Sequence, residues 1–599
     1  MAKEKEAVAK WKKVFSIDYR SLAFFRISLG FLILFDLYVR SKELAAHYTD
    51  FGVLPRGIFL EKFSNKFWIS IHLANGSIFF QGFLFIIAAI FAIALILGYK
   101  TRIATIFSWF LLISLQSRDP LVLQGGDILF RMLLFWAIFL PLGEKYSFDE
   151  VLKEKKGQEA KNGSALSFGT FGIMLQFAFV FIFSALLKTG AEWFPDGTAI
   201  YYALSIDQFA TWLGKFLLGF PNLIHYFTYF VFFLELFGPV LFFVPLFFKQ
   251  IRTFAIFLFL MLFIGMGTNL NLGPFPWICS TALIVFIPPW LWDKLGNFLQ
   301  RKESKRLIVY YDGNCGSCRS SITFIRVFLL LPKQIFIPAQ SNKETLHLMN
   351  YKNSWVVEFN EKRYFYFNAF KPVLSASPIF WPLSFLVSVS WINNFGNKCY
   401  KFFAQRKRHA CEIRNEKKEL SFKTKKSTAI VGNAIALFFI IYIFLWNVQS
   451  LGEKDALPDK LEFIGPLLRI DQYWNMFAPY PLKDDGWYVV EGKLSRGESV
   501  DLLRNGRSIS FAKPENVAAM YPHERWRKYL MNLWNRDNEE HRELYLSYLC
   551  RKWNQERDIK KEKLEEIKMY FMLEITLPDY KKSEVDKELI ADWTCGNKN

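Results

Sequence analysis

The chain has 599 residues, of which 52% are hydrophobic and 66 are phenylalanine, and its formal net charge is +20. The apolar residues fall in long uncharged runs instead of an even spread, which excludes an ordinary soluble globular protein. The basic residues cluster beside those runs, where lipid headgroups and insertion bias account for them; no nucleic-acid motif accompanies them, so no nucleic-acid partner is expected.

The first twenty residues, MAKEKEAVAKWKKVFSIDYR, lack the apolar core and small-residue cleavage site of a signal peptide. The first span itself therefore directs insertion. Clear spans lie at 78–98, 171–187, 223–247 and 428–447, each near or above the length that crosses the hydrocarbon core. Weaker ones lie at 22–39, 103–115, 127–142, 251–267 and 275–293. Several of these are short or charged, which predicts helices buried among other helices or lining a polar cavity. The total is about nine spans. Arg26, Asp36, Arg131 and Glu235 fall inside apolar runs, where an unpaired charge is costly, so each needs a partner or a wet cavity.

With the N-terminus inside, the inner segments carry 20 Lys and Arg residues and the outer loops carry 8. That bias predicts a multi-pass protein of a bacterial-type inner (plasma) membrane, with N-terminus and residues 305–411 cytoplasmic and the C-terminal domain extracytoplasmic. Lys417, Lys418, Lys423, Lys425 and Lys426 flank the inner end of the final span. Charged linkers at 152–166 and 405–426 belong to the inner side.

Residues 307–331, LIVYYDGNCGSCRSSITFIRVFLLL, set a CxxC on the turn between a buried strand and a helix. Cys315 falls where the first helical turn leaves N–H groups unpaired, so those donors and the helix dipole favour its thiolate. Cys318, one turn on, is placed to resolve a mixed disulfide. No second CxxC or HxxxH completes a zinc site, so no metal is expected and redox chemistry is the better reading. The following segments read as strand QIFIPAQ, a hairpin SWVVEF and RYFYF around Asn360 and Glu361, and a long apolar helical stretch. This is a thioredoxin-like α/β order. Through Tyr311, Asp312, Gly313, Asn314, Cys315, Gly316, Ser317 and Cys318 it resembles the DCC family of thiol-disulfide oxidoreductases; the ending Cys399, Tyr400, Lys401 to Arg406 is similar as well. The resemblance implies a redox partner protein and a supporting role for Asp312 and Gly313. No proline stands where thioredoxins set one against the disulfide.

The membrane half has its own resemblance. Residues 18–56, LQGGDILFRMLLFWAIFLPLG at 123–143, FSALLKTGAEWFPDGTAIYYAL at 183–204 and QYWNMFAPYP at 472–481 are similar to the HTTM (horizontally transferred transmembrane) family, whose membrane domain is shared with vitamin K-dependent gamma-carboxylase. The resemblance implies a multi-helix bundle with a polar site near one face and a C-terminal domain packed back over that face. It also implies that Lys188 matches the carboxylase base, with Asp127 where that family offers a histidine, and that a quinone-like apolar ligand is the cofactor class to consider. From the residues alone, Lys188 either snorkels to the interface or sits in a desolvated pocket that lowers its pKa; the departure from the family at Asp127 leaves a structural Lys188–Asp127 ion pair as the expectation. Arg131 and Trp193 are supporting candidates.

The tail opens with GEKDALPDKLEFIGPLLR and WNMFAPYP, in which Trp474, Met476 and Phe477 wedge the tail onto the bundle. A β-meander through GWYVVEGKLSRGESVDLLRNGRSISF follows, then a charged helical stretch at 521–568 and a last strand, MYFMLEITL. Of seven cysteines, Cys550 and Cys595 are available to pair outside, and Cys279 reads as a buried apolar residue. The expected architecture is thus a polytopic α-helical membrane protein with an inserted thioredoxin-like α/β domain and a C-terminal α+β extramembrane domain. Its expected parts are a bundle at 1–300, the inserted domain at 305–411, a final span at 427–448 and the external domain at 449–599. Its partners are the lipid bilayer and a thiol redox protein. Three functions are consistent with this reading: thiol-disulfide exchange at the CxxC coupled to the bundle, a vitamin K-dependent carboxylase-like reaction in the bundle, or a non-catalytic membrane assembly or maturation role.

Overall fold

The computed structural model describes residues 10–155, 158, 161–413, 426–557, 562–579 and 581–596, without the side chains of 403–413 and 426–428. Lys417, Lys418, Lys423 and Lys425 lie outside the described residues, as do the side chains of Arg406 and Lys426.

Among the described residues six helices are long and apolar enough to cross a membrane. They are α1 (Tyr19–Ser41), α2 (Ile78–Leu97), α6 (Phe168–Leu187), α7 (Pro221–Phe237, extended by a 3₁₀ turn to Phe243), α8 (Phe248–Asn269) and α14 (Lys426–Gln449). Their ends follow local chemistry. Asp18 caps α1 by accepting from the Arg20 N–H, and Ser77 caps α2, which stops at Gly98 in the left-handed conformation that glycine adopts without strain. Ser167 and Thr170 form a capping box at the start of α6.

A bent pair, α9 (Phe275–Leu283) with its 3₁₀ continuation and α10 (Pro289–Leu299), turns by 102° and gives up to seven spans if counted as one. The two prolines at 288 and 289 explain the break. The runs at 103–115 and 127–142 form α3 (Thr101–Gln116) and α4 (Gly125–Ala137). At 16 and 13 residues, these helices reach roughly 24 and 20 Å, short of a core about 30 Å thick. Every residue of α4 from Leu129 to Ala137 is buried, as expected of a helix enclosed by its neighbours. An aromatic cluster holds the bundle, with Phe177 against Phe181, Phe242, Phe259, Phe263 and Phe286.

The polar segments sort to two faces. On one, Ile17 and Asp18 pair with Ala165 and Ser164, and α5 (Phe148–Lys155) leads toward the inserted domain. On the other, loops 44–75, 118–124, 188–210 and 270–274 meet the C-terminal domain. Arg551 donates to the carbonyls of Phe51 and Gly52, Asn532 to that of Leu121, and the Tyr201 hydroxyl to that of Leu577.

The inserted domain has a four-stranded sheet in the order β2-β1-β3-β4, with β1 Leu307–Tyr311, β2 Phe336–Pro338, β3 Val356–Phe359 and β4 Lys362–Tyr364. β1 runs parallel to β2 and antiparallel to β3. The hairpin turns at Asn360 and Glu361, both at positive φ, as a two-residue connection matched to strand twist requires. Helix α11 (Gly316–Phe328) and α13 (Ser390–Ile413) cover one sheet face, and α12 (Lys343–Lys352) covers the other.

In the C-terminal domain β5 (Asp484–Leu494) pairs with β6 (Ser499–Asp501) and β7 (Leu564–Leu577). The far edge of β7 carries β8 (Lys581–Lys582) and β9 (Asp586–Thr594). Helices α15 (Glu524–Trp534) and α16 (Glu539–Glu556) pack on this sheet. The charged stretch thus ends at 556 instead of 568. A further strand, β9, follows the expected last one; its charged residues conceal the alternation of an exposed edge. Cys550 and Cys595 form a disulfide, with Cα atoms 5.9 Å apart, that ties α16 to the chain just after β9. Trp474 is fully buried in the bundle core, as expected of a wedge.

Candidate functional site

The dithiol lies at the end of β1. Cys315 is the N-cap of α11, and its sulfur accepts the Cys318 N–H at 3.4 Å. This is the place where orphan amides and the helix dipole favour a negative sulfur. Cys315 is buried and disulfide-bonded, whereas Cys318 is a half-buried thiol, so the two sulfurs are not bonded to each other. The loop before them is held from a distance in sequence. Gln340, just after β2, accepts from the Gly313 N–H at 3.0 Å and donates to Asp312 at 2.7 Å. Asp312 also accepts from the Asn314 N–H, and Arg319 donates back to the Gly313 carbonyl at 2.7 Å. Pro338 pairs in register with Tyr311 beside this loop, and a side chain at Gly313 would press on it. Both Gln340 and Pro338 escaped the sequence reading; the IPAQ that closes β2 and runs into the following turn is the signal that carries them. The Tyr400 hydroxyl, which burial holds above the ordinary tyrosine pKa, accepts from the Trp355 N–H and lies within electrostatic reach of Cys318.

Helix α11 also joins this domain to the bundle. Arg326 pairs with Glu154 of α5 at 2.5 Å, and Phe324 and Phe328 pack with tilted rings against Phe148 at centroid distances of 5.2 and 5.1 Å.

The second candidate site lies at the opposite end of α6, about 30 Å from its start. Lys188 caps α6 and is buried, its side chain only 2% exposed. It neither snorkels nor meets Asp127. Its ammonium pairs with Glu235 of α7 and sits 4.2 Å from the centre of the Trp193 ring. Beside this pair is a cavity of about 390 Å³ with apolar walls that include Leu204, Phe227, Met261, Met266 and Phe477. Trp193 donates to the Phe477 carbonyl, so the tail closes over this end of the bundle.

Asp127 is committed elsewhere. It accepts from Arg40 at 2.7 Å and from Arg525 of the C-terminal domain at 2.5 Å, and Asp36 accepts from the same two arginines at 2.8 and 2.7 Å. Two carboxylates and two guanidinium groups thus neutralise one another in a sealed network, the arrangement that makes buried charge tolerable. Burial opposes the Arg525 charge, and Asp127 and Asp36 outweigh it to hold its pKa above the ordinary arginine value. Arg131 pairs with Asp471 at 2.9 Å, and Arg26 donates to backbone carbonyls including Leu142 and Tyr146. All four charges read in the spans therefore have partners.

Asp207, Asp485 and Glu574 bring their carboxylates together. Burial works against the Asp207 carboxylate, but hydrogen bonds from Lys215, Lys513 and Lys582 hold its pKa well below the ordinary value. The cluster is therefore balanced by ammonium groups and offers a cation little.

Residues 15–290 match the family model of the HTTM domain, and residues 309–412 match that of the DCC1-like thiol-disulfide oxidoreductase. Comparison with curated proteins and with solved structures returns no match.

Proposed function

The chain joins an HTTM domain to a DCC1-like thiol-disulfide oxidoreductase domain, and we propose that Cys315 and Cys318 exchange disulfides with a partner protein beside the membrane. The observation that carries this reading is the amide of Cys318 directed at the sulfur of Cys315 on the first turn of α11. An external dithiol reductant must first reduce the disulfide on Cys315 by thiol–disulfide exchange, leaving as a disulfide itself and freeing the Cys315 thiolate. The Cys315 thiolate then attacks a partner disulfide, forming a mixed disulfide and releasing one partner thiolate. The Cys318 thiolate next attacks Cys315, which forms the intramolecular disulfide and releases the second partner thiolate. Two electrons pass to the partner. Asp312 and Gly313, fixed by Gln340, position the loop.

The Cys318→Ser protein, reduced and offered a small protein disulfide, should accumulate a mixed disulfide through Cys315, and Cys315→Ser should not. If no adduct forms, the domain is a retained fold and the assembly or maturation role takes first place.

The parts we assign are the bundle at 1–300, the inserted domain at 305–411, the final span at 427–448 and the external domain at 449–599. Contacts of α5 with α11 support placing the inserted domain on the same side as 143–170, and contacts of the outer loops support placing the C-terminal domain opposite. With the 20 to 8 basic bias, this makes the dithiol cytoplasmic and the tail extracytoplasmic in a bacterial-type inner membrane. A nine-span path requires α3 and α4 to cross as buried helices.

A second reading rests on the cavity beside Lys188. Its volume and apolar walls fit a quinone-like ligand, which would supply redox chemistry when bound. In that carboxylase-like reading Lys188 handles a proton, with Glu235 and Trp193 setting its position. Mass spectrometry of apolar compounds extracted from purified protein should then find one that Met266→Trp loses; equal recovery from both proteins would remove this reading.

A further inference from the structure

One surface of the DCC1-like domain is densely apolar and exposed among the described residues. It spans the short helical turns at 381–387 and the start of α13. Phe385, Trp391 and Phe395 are 67%, 71% and 66% exposed, and Ile379 and Leu386 extend the patch. Trp391 and Phe395 are spaced by four residues, so they stand on one stripe along α13, with exposed Lys398 beside them. A patch of this kind on a soluble domain marks an interaction surface.

We infer that this face lies on the lipid surface of the membrane, with its aromatic side chains in the headgroup region and its lysines toward anionic lipid. Three observations fix that occupant. The patch is continuous with the bundle, since Arg301, two residues beyond α10, stacks on the Trp381 ring at 4.6 Å. It belongs to the sheet face that carries α11 and α13, and α11 is the helix that docks on α5 of the bundle. Its composition, Trp and Phe beside Lys398 and Lys401, is that of a segment lying in the interface plane. The chain also returns to the bilayer at α14 soon after α13, which keeps this face close to the membrane.

The consequence is orientation. The domain is held at one end by α11 on α5 and along one face by lipid.

The test places a benzophenone amino acid at Phe385, Trp391 or Phe395 in the full chain, reconstituted in nanodiscs of equal parts phosphatidylcholine and phosphatidylglycerol. Tyr351 on α12, itself 74% exposed, is the control. On irradiation the three patch positions should give lipid adducts several-fold above the Tyr351 background. Replacing phosphatidylglycerol with phosphatidylcholine should lower that yield. Adducts to a second copy of the chain, no adducts, or equal lipid adducts at Tyr351 would each overturn the inference. Proteins that pass size-exclusion chromatography as the wild type does are the ones compared, which separates misfolding from loss of contact.

Discussion

At the CxxC the sulfurs sit at the start of α11, Cys315 buried and Cys318 half-buried, and the polar contacts that hold the preceding loop come from Gln340, Arg319 and neighbouring backbone. At Lys188 the charge is sealed among apolar side chains, its one carboxylate comes from another span, and the adjoining space is apolar. The first arrangement is polar and local in the chain; the second is apolar and assembled from distant spans. The difference is one of surroundings, a polar loop against an apolar interior, although α11 and α5 join the two domains through contacts of a few ångströms.

The largest effect should come from breaking the charge network that joins the bundle to the C-terminal domain. Arg525→Ala leaves Asp36 and Asp127 to share Arg40, and removing one partner from a buried pair costs about 3–5 kcal/mol. Thermal unfolding in detergent should show this loss while Cys315 alkylation after reduction stays unchanged. A fall in thiol reactivity of the same size would mean that the two faces are not separable.

Lys188→Ala should follow, at about 3 kcal/mol, because it strands Glu235. Lys188→Met combined with Glu235→Gln should recover most of that stability, since it removes both charges. If the double variant is no better than the single one, the pair is not what holds this end of α6.

On the thiol side the expected effect is smaller. Gln340→Ala removes two hydrogen bonds to an exposed loop and should cost about 1 kcal/mol, with faster alkylation at Cys315 after reduction. Urea denaturation and alkylation rates measure the two effects separately.

The smallest effect concerns acid. Burial lowers the pKa of His523 and His541, both in the C-terminal domain. A histidine with a depressed folded pKa binds its proton more readily when unfolded, so its stabilising contribution is complete above the unfolded value of about 6.5 and is lost as pH falls below it. Protease protection of the C-terminal domain should therefore weaken on moving from about pH 7 to about pH 5, before the inserted domain responds.

These contrasts follow what a sequence carries locally. The strand, CxxC and helix are contiguous, so periodicity and spacing expose them, and the Asn360–Glu361 hairpin is equally local. Lys188 and Glu235 are 47 residues apart, and Asp127 and Arg525 are 398 apart. Nothing in either neighbourhood shows which opposite charge the fold supplies. Asp127 is the nearer-looking partner for Lys188 only until Arg40 and Arg525 are seen to occupy it. Burial of the charges in the spans was legible, because an apolar run makes an unpaired charge costly; the identity of each partner was not. Strand β9 was hidden by its own charges, and the short α4 reads as a weak span because bundle neighbours do the work of lipid around it.

The opposition of the two faces is tested most directly by labelling. Glu361, on the hairpin turn of the inserted domain, and Glu584, between β8 and β9, are both exposed. Cysteines placed at these positions should behave oppositely toward a membrane-impermeant maleimide in intact cells with the outer barrier opened. The account predicts modification at 584 and protection at 361 until the inner membrane is permeabilised; modification of both, or protection of both, would contradict it.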